Sequence, residues 1–186
     1  MKKSISIGKL RGLQQTSSPR GTFTALALDH RQNLRRALGP SDPTSVTDDQ
    51  LSRFKLEVTS GLASEASAVL LDPEVSAAQA IAGHAIPNHI GLVVAVESTG
   101  YTGDPTARQA QIIPGWSVEK AKRMGASAIK LLVYFTLTHR SRLRSNRSQN
   151  KLPMIASSMI WRLCLSHFPI RSTNQENFHR KKKDML

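Results

Sequence analysis

A single cysteine, Cys164, stands among 186 residues, so no disulfide can form within the chain. No Cys/His pair has zinc-finger spacing, and the histidines at 30, 84, 89, 139, 167 and 179 show no metal-site spacing either. No metal and no cofactor is therefore expected. GxGxxG, GxxxxGK[ST] and HExxH are all missing. The basic opening MKKSISIGKLRGLQQTSSPRG has no apolar h-region, which argues against a secretory signal. The longest apolar-looking stretch, Leu152 to Ile170, is interrupted by Pro153, Arg162, His167 and Pro169. An arginine at the centre of a membrane span costs about 2.5–3.5 kcal/mol, so no membrane association is expected. The expectation is a protein of the reducing cytoplasm, with one domain or a piece of a larger one.

Acidic residues are scarce, 13 against 26 Lys+Arg, but the imbalance is uneven. Residues 1–135 hold 15 basic and 11 acidic side chains, whereas residues 136–186 hold 11 and 2. All 11 glycines lie at or before Gly125, and no valine follows Val133. Two composition regimes meet near Phe135, which sets expected boundaries of 1–135 and 136–186.

What is there, before Phe135, alternates. Thr22–Asp29, Ala68–Asp72, Gly91–Ser98 and Ala128–Phe135 are short apolar runs of the kind that form strands buried on both faces. Between them lie helical patterns. Asp48 and Asp49 open a segment with Leu51, Phe54, Leu56, Val58 and Leu62 near helical spacing. Ser76–Ala85 is alanine-rich, and Ser117–Met124 has Ser117 as N-cap with Gly125 at C′. Four strand–helix units of this kind predict an α/β fold with a parallel, helix-covered sheet. An open doubly wound sheet and a (β/α)8 barrel both fit; about 250 residues would complete a barrel, so four units would make half of one.

Charged residues at strand ends are where barrel chemistry sits. Asp29 could hold substrate hydroxyls or move protons, or it could cap the next turn with Arg31 neutralising it; the residues alone favour the cap. For Asp72, followed by Pro73 and Glu74, capping is again favoured. Glu97 closes the third run and reads equally as a catalytic carboxylate or as a strand-end ion pair. Lys130, flanked by apolar residues, is poorly solvated wherever it points. Burial lowers a lysine pKa and suits amine chemistry or phosphate recognition, while snorkelling or pairing with a carboxylate is the alternative.

The ordered segments FTALALDHRQNLRRAL, FKLEVTSGLASEASAVLLDPE, LVVAVESTGYTGD and WSVEKAKRMGASAIKLLVYF, within roughly residues 8–135, resemble class I aldolases of the tagatose-1,6-bisphosphate aldolase type. The related sulfofructosephosphate aldolases belong to the same group. The resemblance implies a (β/α)8 TIM barrel, here its first four βα units followed by a basic tail unlike the family. It also implies retro-aldol cleavage of a ketose phosphate to dihydroxyacetone phosphate and an aldehyde, through a lysine Schiff base without metal. Asp29 matches the family's first-strand aspartate and Lys130 its fourth-strand lysine, the two expected catalytic residues. His30, Arg31 and Glu97 are the expected substrate-binding residues, although His30 stands where the tagatose enzymes have glutamine. The expected partners are a phosphorylated sugar and, through open sheet edges, a second copy of the chain.

The family's strand-five glutamate and strand-six Schiff-base lysine would follow Phe135, where this sequence offers no match. Joining each codon's third base to the next codon's first two permits LSHFPIRS to encode EPLSYSLD, a strand-five motif of the family. In the same register NQENFHRKKK permits PGKLSSEEK. Residues 136–186 therefore read as the out-of-frame translation of an aldolase gene, and the 186-residue polypeptide is expected to be truncated, prone to aggregation and inactive. Two alternatives stand beside this reading: a non-catalytic half-barrel fragment, and a basic arm for nucleic acid or another anion, which is disfavoured because its charges are scattered apart from His179–Lys183. Sequencing the gene across the codons near Phe135 should reveal a one-base shift that restores EPLSYSLD. The frame reading fails if no single shift does so.

Overall fold

The computed structural model describes residues 5–98 and 111–132. Within them the chain runs α1 (Ile7–Thr16), β1 (Ala25–Leu28), α2 (Gln32–Leu38), α3 (Asp48–Leu62), β2 (Ala68–Leu71), α4 (Ala77–Ala82), β3 (Gly91–Ala95), α5 (Val118–Arg123) and β4 (Ala128–Lys130). All three strand pairings are parallel, and the sheet order is β1-β2-β3-β4. A doubly wound sheet reverses its order at a switch point. An unbroken sequential order is the winding of a barrel, and the fold is that of a partial (β/α)8 barrel.

Three of the expected helices follow their sequence signals, with local adjustments. Thr47 and Gln50 form a reciprocal capping box at the start of α3, ahead of Asp48 and Asp49 in its first turn. Ser117 caps α5 by accepting from the Lys120 amide at 3.0 Å, and Gly125 takes φ +111° just after its end, the left-handed conformation a C′ glycine provides. Ser76 differs from a plain N-cap: its hydroxyl turns back to Asp72. The apolar pattern of α3 is also reset. Its deepest stripe is Leu51, Lys55 and Thr59, spaced i, i+4, i+8, and Leu62 is 51% exposed.

The strands divide the core into two layers by their period of two. Val69, Leu71, Leu92, Val94 and Ile129 face the helices, where Ala77, Ala80 and Ala121 allow close approach. The opposite, concave face is lined by Ala68, Leu70, Val93, Ala95 and Ala128. β2 and β3 are buried throughout, as continuous apolar runs require. β1 departs from that expectation: Ala25 and Ala27 are exposed, since among the described residues β1 pairs with β2 alone.

Sequence patterning missed α1 and α2. α1 carries few apolar residues, so its helical period is faint, yet it seals the N-terminal end of the concave face through Leu13. Thr16 bonds back to the Gly12 carbonyl at 2.9 Å, and the Ser67 hydroxyl donates to the Thr16 carbonyl at 2.8 Å. α2 is positioned by Arg35, which reaches Asp48 and the Val46 carbonyl. No helix among the described residues is long and apolar enough to cross a membrane. The region after residue 132, including the basic tail and its frame reading, lies outside the described residues.

Gly91 begins β3 where the C-terminal turn of α1 crosses it. A Cβ there would strike the Gln15 carbonyl oxygen and lie 2.8 Å from Thr16 Cγ2. Because backbone cannot yield as a side-chain tip can, Gly91→Ala is expected to destabilise the fold by about 1–3 kcal/mol. It should also lift α1, read by denaturant unfolding and by faster amide exchange over Ile7–Thr16 than elsewhere.

Candidate active site

Alternation along each strand places Asp29, Asp72, Glu97 and Lys130 on the concave face at the C-terminal ends of the strands. Lys130 is their hub. Its ammonium bonds the Asp29 carboxylate and lies 2.7 Å from Glu97 Oε1. Asp29 ends β1 and Lys130 ends β4, the two edges of the described sheet, so this ion pair spans the concavity instead of running along a ladder. Glu97 reaches the site because the chain pairs with itself just beyond β3. Glu97 bridges Ile112, and Ser98 N donates to Gln111 O at 2.7 Å.

Burial alone would lower the Lys130 pKa, but hydrogen bonds and charge from Asp29 and Glu97 outweigh it and raise it above the ordinary lysine value. The sequence expectation that burial would depress it is corrected: two carboxylates overcome one partial desolvation. Lys130 is therefore a stable cation at neutral pH, suited to stabilising negative charge and unsuited to nucleophilic attack. The ion-pair alternative for Glu97 and Lys130 is the arrangement observed, and it does not remove either from the site.

A second lysine–carboxylate pair lies beside the first, and sequence reading missed its cation. Lys55, 1% exposed, projects from α3 onto Asp72, which is fully buried. Asp72 also accepts from the Ser76 hydroxyl at 2.6 Å and from the amides of Glu74 (3.0 Å) and Val75 (2.8 Å). The capping expectation for Asp72 thus holds in part, because the same carboxylate is an ion-pair partner. Burial pulls the Lys55 pKa down against the opposing charge of Asp72. Burial pushes Asp72 up, but Lys55, Ser76 and the Val75 amide together hold it below the usual carboxylate range. The signal for Lys55 was its place between Leu51 and Thr59 on one helical stripe.

Arg31 is the connector. One end of its guanidinium bonds Glu74 and the other donates to the Glu97 carbonyl at 2.8 Å. The structure thus brings Asp29, Arg31, Glu97 and Lys130 together. It sets His30 apart, in a shallow apolar concavity with Leu28, Asn33, Leu34, Ala37 and Phe54, because the strand alternation that turns Asp29 inward turns His30 outward. Among the described residues no group of three or more His, Cys, Asp or Glu is arranged to hold a metal ion.

Comparison with known proteins agrees with this architecture. A model of the DeoC/LacD family aldolases matches residues 23–157, beginning just before β1 and running past Phe135. Tagatose 1,6-diphosphate aldolase 2 of Enterococcus faecalis is 36% identical over 132 residues, which are 71% of this chain and 39% of that protein. The tagatose 1,6-diphosphate aldolase of Lactococcus lactis is 32% identical over 139 residues, 75% of this chain and 42% of that protein. The Staphylococcus epidermidis enzyme of that name is 33% identical over 127 residues, 68% and 38% of the two chains. The chain spans about two fifths of the length of these curated relatives.

The raised Lys130 pKa carries a sign that can be checked. Stability from its ion pairs is fully present below the unfolded value, near 10.5, and is lost as pH rises through the higher folded value. Lys130→Met should therefore be less stable than the parent at pH 7–9, with the gap narrowing in more alkaline solution. Denaturant unfolding from pH 7 to 11.5 reads this directly; a gap that stays constant across the range counts against the ion pairs.

Proposed function

The chain belongs to the DeoC/LacD aldolase family, and from that premise we propose that it encodes the first half of a Schiff-base aldolase acting on a ketose phosphate such as tagatose 1,6-bisphosphate. The observation that carries the reading is the Lys130 cation held between Asp29 and Glu97 at the C-terminal end of the sheet. In class I chemistry a lysine amine adds to the substrate ketone and loses water to give an iminium. The C3–C4 bond then breaks, its electrons move into the iminium to give an enamine, and the C4 hydroxyl proton passes to a base as the aldehyde leaves. A proton then adds to the enamine carbon, and water hydrolyses the resulting iminium to return the amine and dihydroxyacetone phosphate.

Lys130 itself is not that nucleophile in this proposal, because its two carboxylates keep it protonated. Its role is electrostatic. A fixed ammonium beside the reacting carbons favours a neutral neighbouring amine and stabilises the oxyanion that forms as the bond cleaves. Asp29 contacts the hydroxyls at the reacting end and keeps Lys130 oriented toward them. Glu97 supplies the second anchor through Oε1. Arg31 contributes by holding the Glu97 backbone. By resemblance, the amine nucleophile belongs to a sixth strand after Phe135, and the frame reading of residues 136–186 explains why no matching motif stands there.

Two measurements test the proposal. Borohydride trapping with dihydroxyacetone phosphate, read by intact mass, should give no adduct on the 186-residue polypeptide and one adduct on a frame-restored version. A stoichiometric adduct on the 186-residue chain would overturn the expectation of inactivity and would make the half-barrel sufficient for the chemistry. In the frame-restored protein, Lys130→Ala should lower turnover by roughly 100-fold or more while leaving the fold intact. Near-normal turnover there would remove Lys130 from the mechanism.

A further inference from the structure

Arg31 makes an unexpected choice of partners. Its guanidinium lies against Glu97 yet donates to the backbone carbonyl, 2.8 Å away, and not to the carboxylate. Among the described residues, Glu97 Oε2 is buried with no hydrogen-bond partner, as is Arg31 Nε. Asp29, only two residues before Arg31, gives its carboxylate to Lys130. A guanidinium and a carboxylate pair best in a bidentate fork. Arg31 thus meets Glu97 at its backbone and takes neither the Glu97 nor the Asp29 carboxylate, and both carboxylates serve Lys130.

What restrains it is Glu74, which bonds the far end of the guanidinium. Glu74 is not free to wander. Asp72 accepts the Glu74 amide at 3.0 Å, and Asp72 is itself locked by Lys55 and Ser76 in the interior. The Glu74 side chain is 44% exposed, so its ion pair contributes little to stability. Its effect is directional.

We infer that Glu74 is a positioning residue: it is the counter-ion that holds Arg31 away from the Asp29 and Glu97 carboxylates, reserving both for Lys130. The charged groups in play are Asp29 and Arg31 after β1, Asp72 and Glu74 after β2, Glu97 after β3, Lys130 on β4 and Lys55 from α3. Without Glu74, Arg31 swings onto Glu97 or Asp29 and competes with Lys130 for its anchors. Lys130 then loses part of the stabilisation of its cation and becomes a more reactive amine. The consequence for catalysis rests on the aldolase reading above. The test does not, because it reads the amine without turnover.

The full chain is labelled with acetic anhydride between pH 7 and 10, and lysine modification is followed by mass spectrometry with exposed Lys120 as internal reference. Glu74→Gln should raise the Lys130 rate at pH 8 about threefold or more, which corresponds to a fall of about half a unit in its pKa. Glu74→Asp should restore the slow rate. Removing the competing guanidinium in an Arg31→Met, Glu74→Gln double variant should return Lys130 to the parental rate, while Lys55 stays protected throughout. An unchanged Lys130 rate in Glu74→Gln overturns the assignment. So does a rise that is matched at Lys55 or that persists in the double variant, since either one reports general loosening and not the release of Arg31.

Discussion

Lys130 ties the two edges of the described sheet to each other, a contact that only a curved sheet allows. Adjacent strands lie about 4.8 Å apart, so the first and fourth strands of a flat sheet would stand about 14 Å from one another, beyond the reach of a lysine to an aspartate. The ion pair between Asp29 and Lys130 exists because the strands curl, bringing inward-facing side chains toward a common axis. Small residues permit the curl. The concave face carries Ala68, Ala95 and Ala128 where a flat sheet would accept larger side chains, and the bulkier residues face the helices.

That division explains which parts of the molecule were legible in the sequence. Continuous apolar runs announced the strands and the charges at their ends, and the structure then placed Asp29, Glu97 and Lys130 on one face. The same period separates His30 from Asp29, a separation that family resemblance alone would not suggest. α1 was hidden because it is held less by an apolar stripe than by backbone fit. It lies against Gly91 and accepts a hydrogen bond from Ser67, and neither contact leaves a periodic signal. β1 was read as doubly buried because its composition resembles that of β2; exposure is decided by neighbours, and composition does not record them.

Lys55 was missed for a different reason. A lysine inside an amphipathic helix reads as the polar face, and its place on the Leu51–Thr59 stripe gains meaning only once its partner is known. Asp72 lies on the next strand and receives four donors, so the carboxylate is fully satisfied and the ammonium buried against it is tolerated. Burial of an ion pair is not in itself stabilising, because desolvation offsets the attraction. Its structural value lies in specificity: it allows one geometry for the turn after β2 and so fixes Glu74.

The two lysines, a few residues apart in space, resolve opposite balances of the same two effects. Lys55 is almost wholly enclosed and has one direct carboxylate, and its pKa falls. Lys130 keeps 22% of its side chain exposed and has two, and its pKa rises. Lighter burial and the second carboxylate together set the sign, and Glu97 arrives because the chain extends past the last ladder residue of β3 to present it. A half-buried cation is kept charged by anchors of this kind and by some access to solvent. The architecture therefore separates two environments: the enclosed Lys55–Asp72 pair builds the rim, and the Asp29–Glu97–Lys130 trio at its centre keeps partial access to solvent.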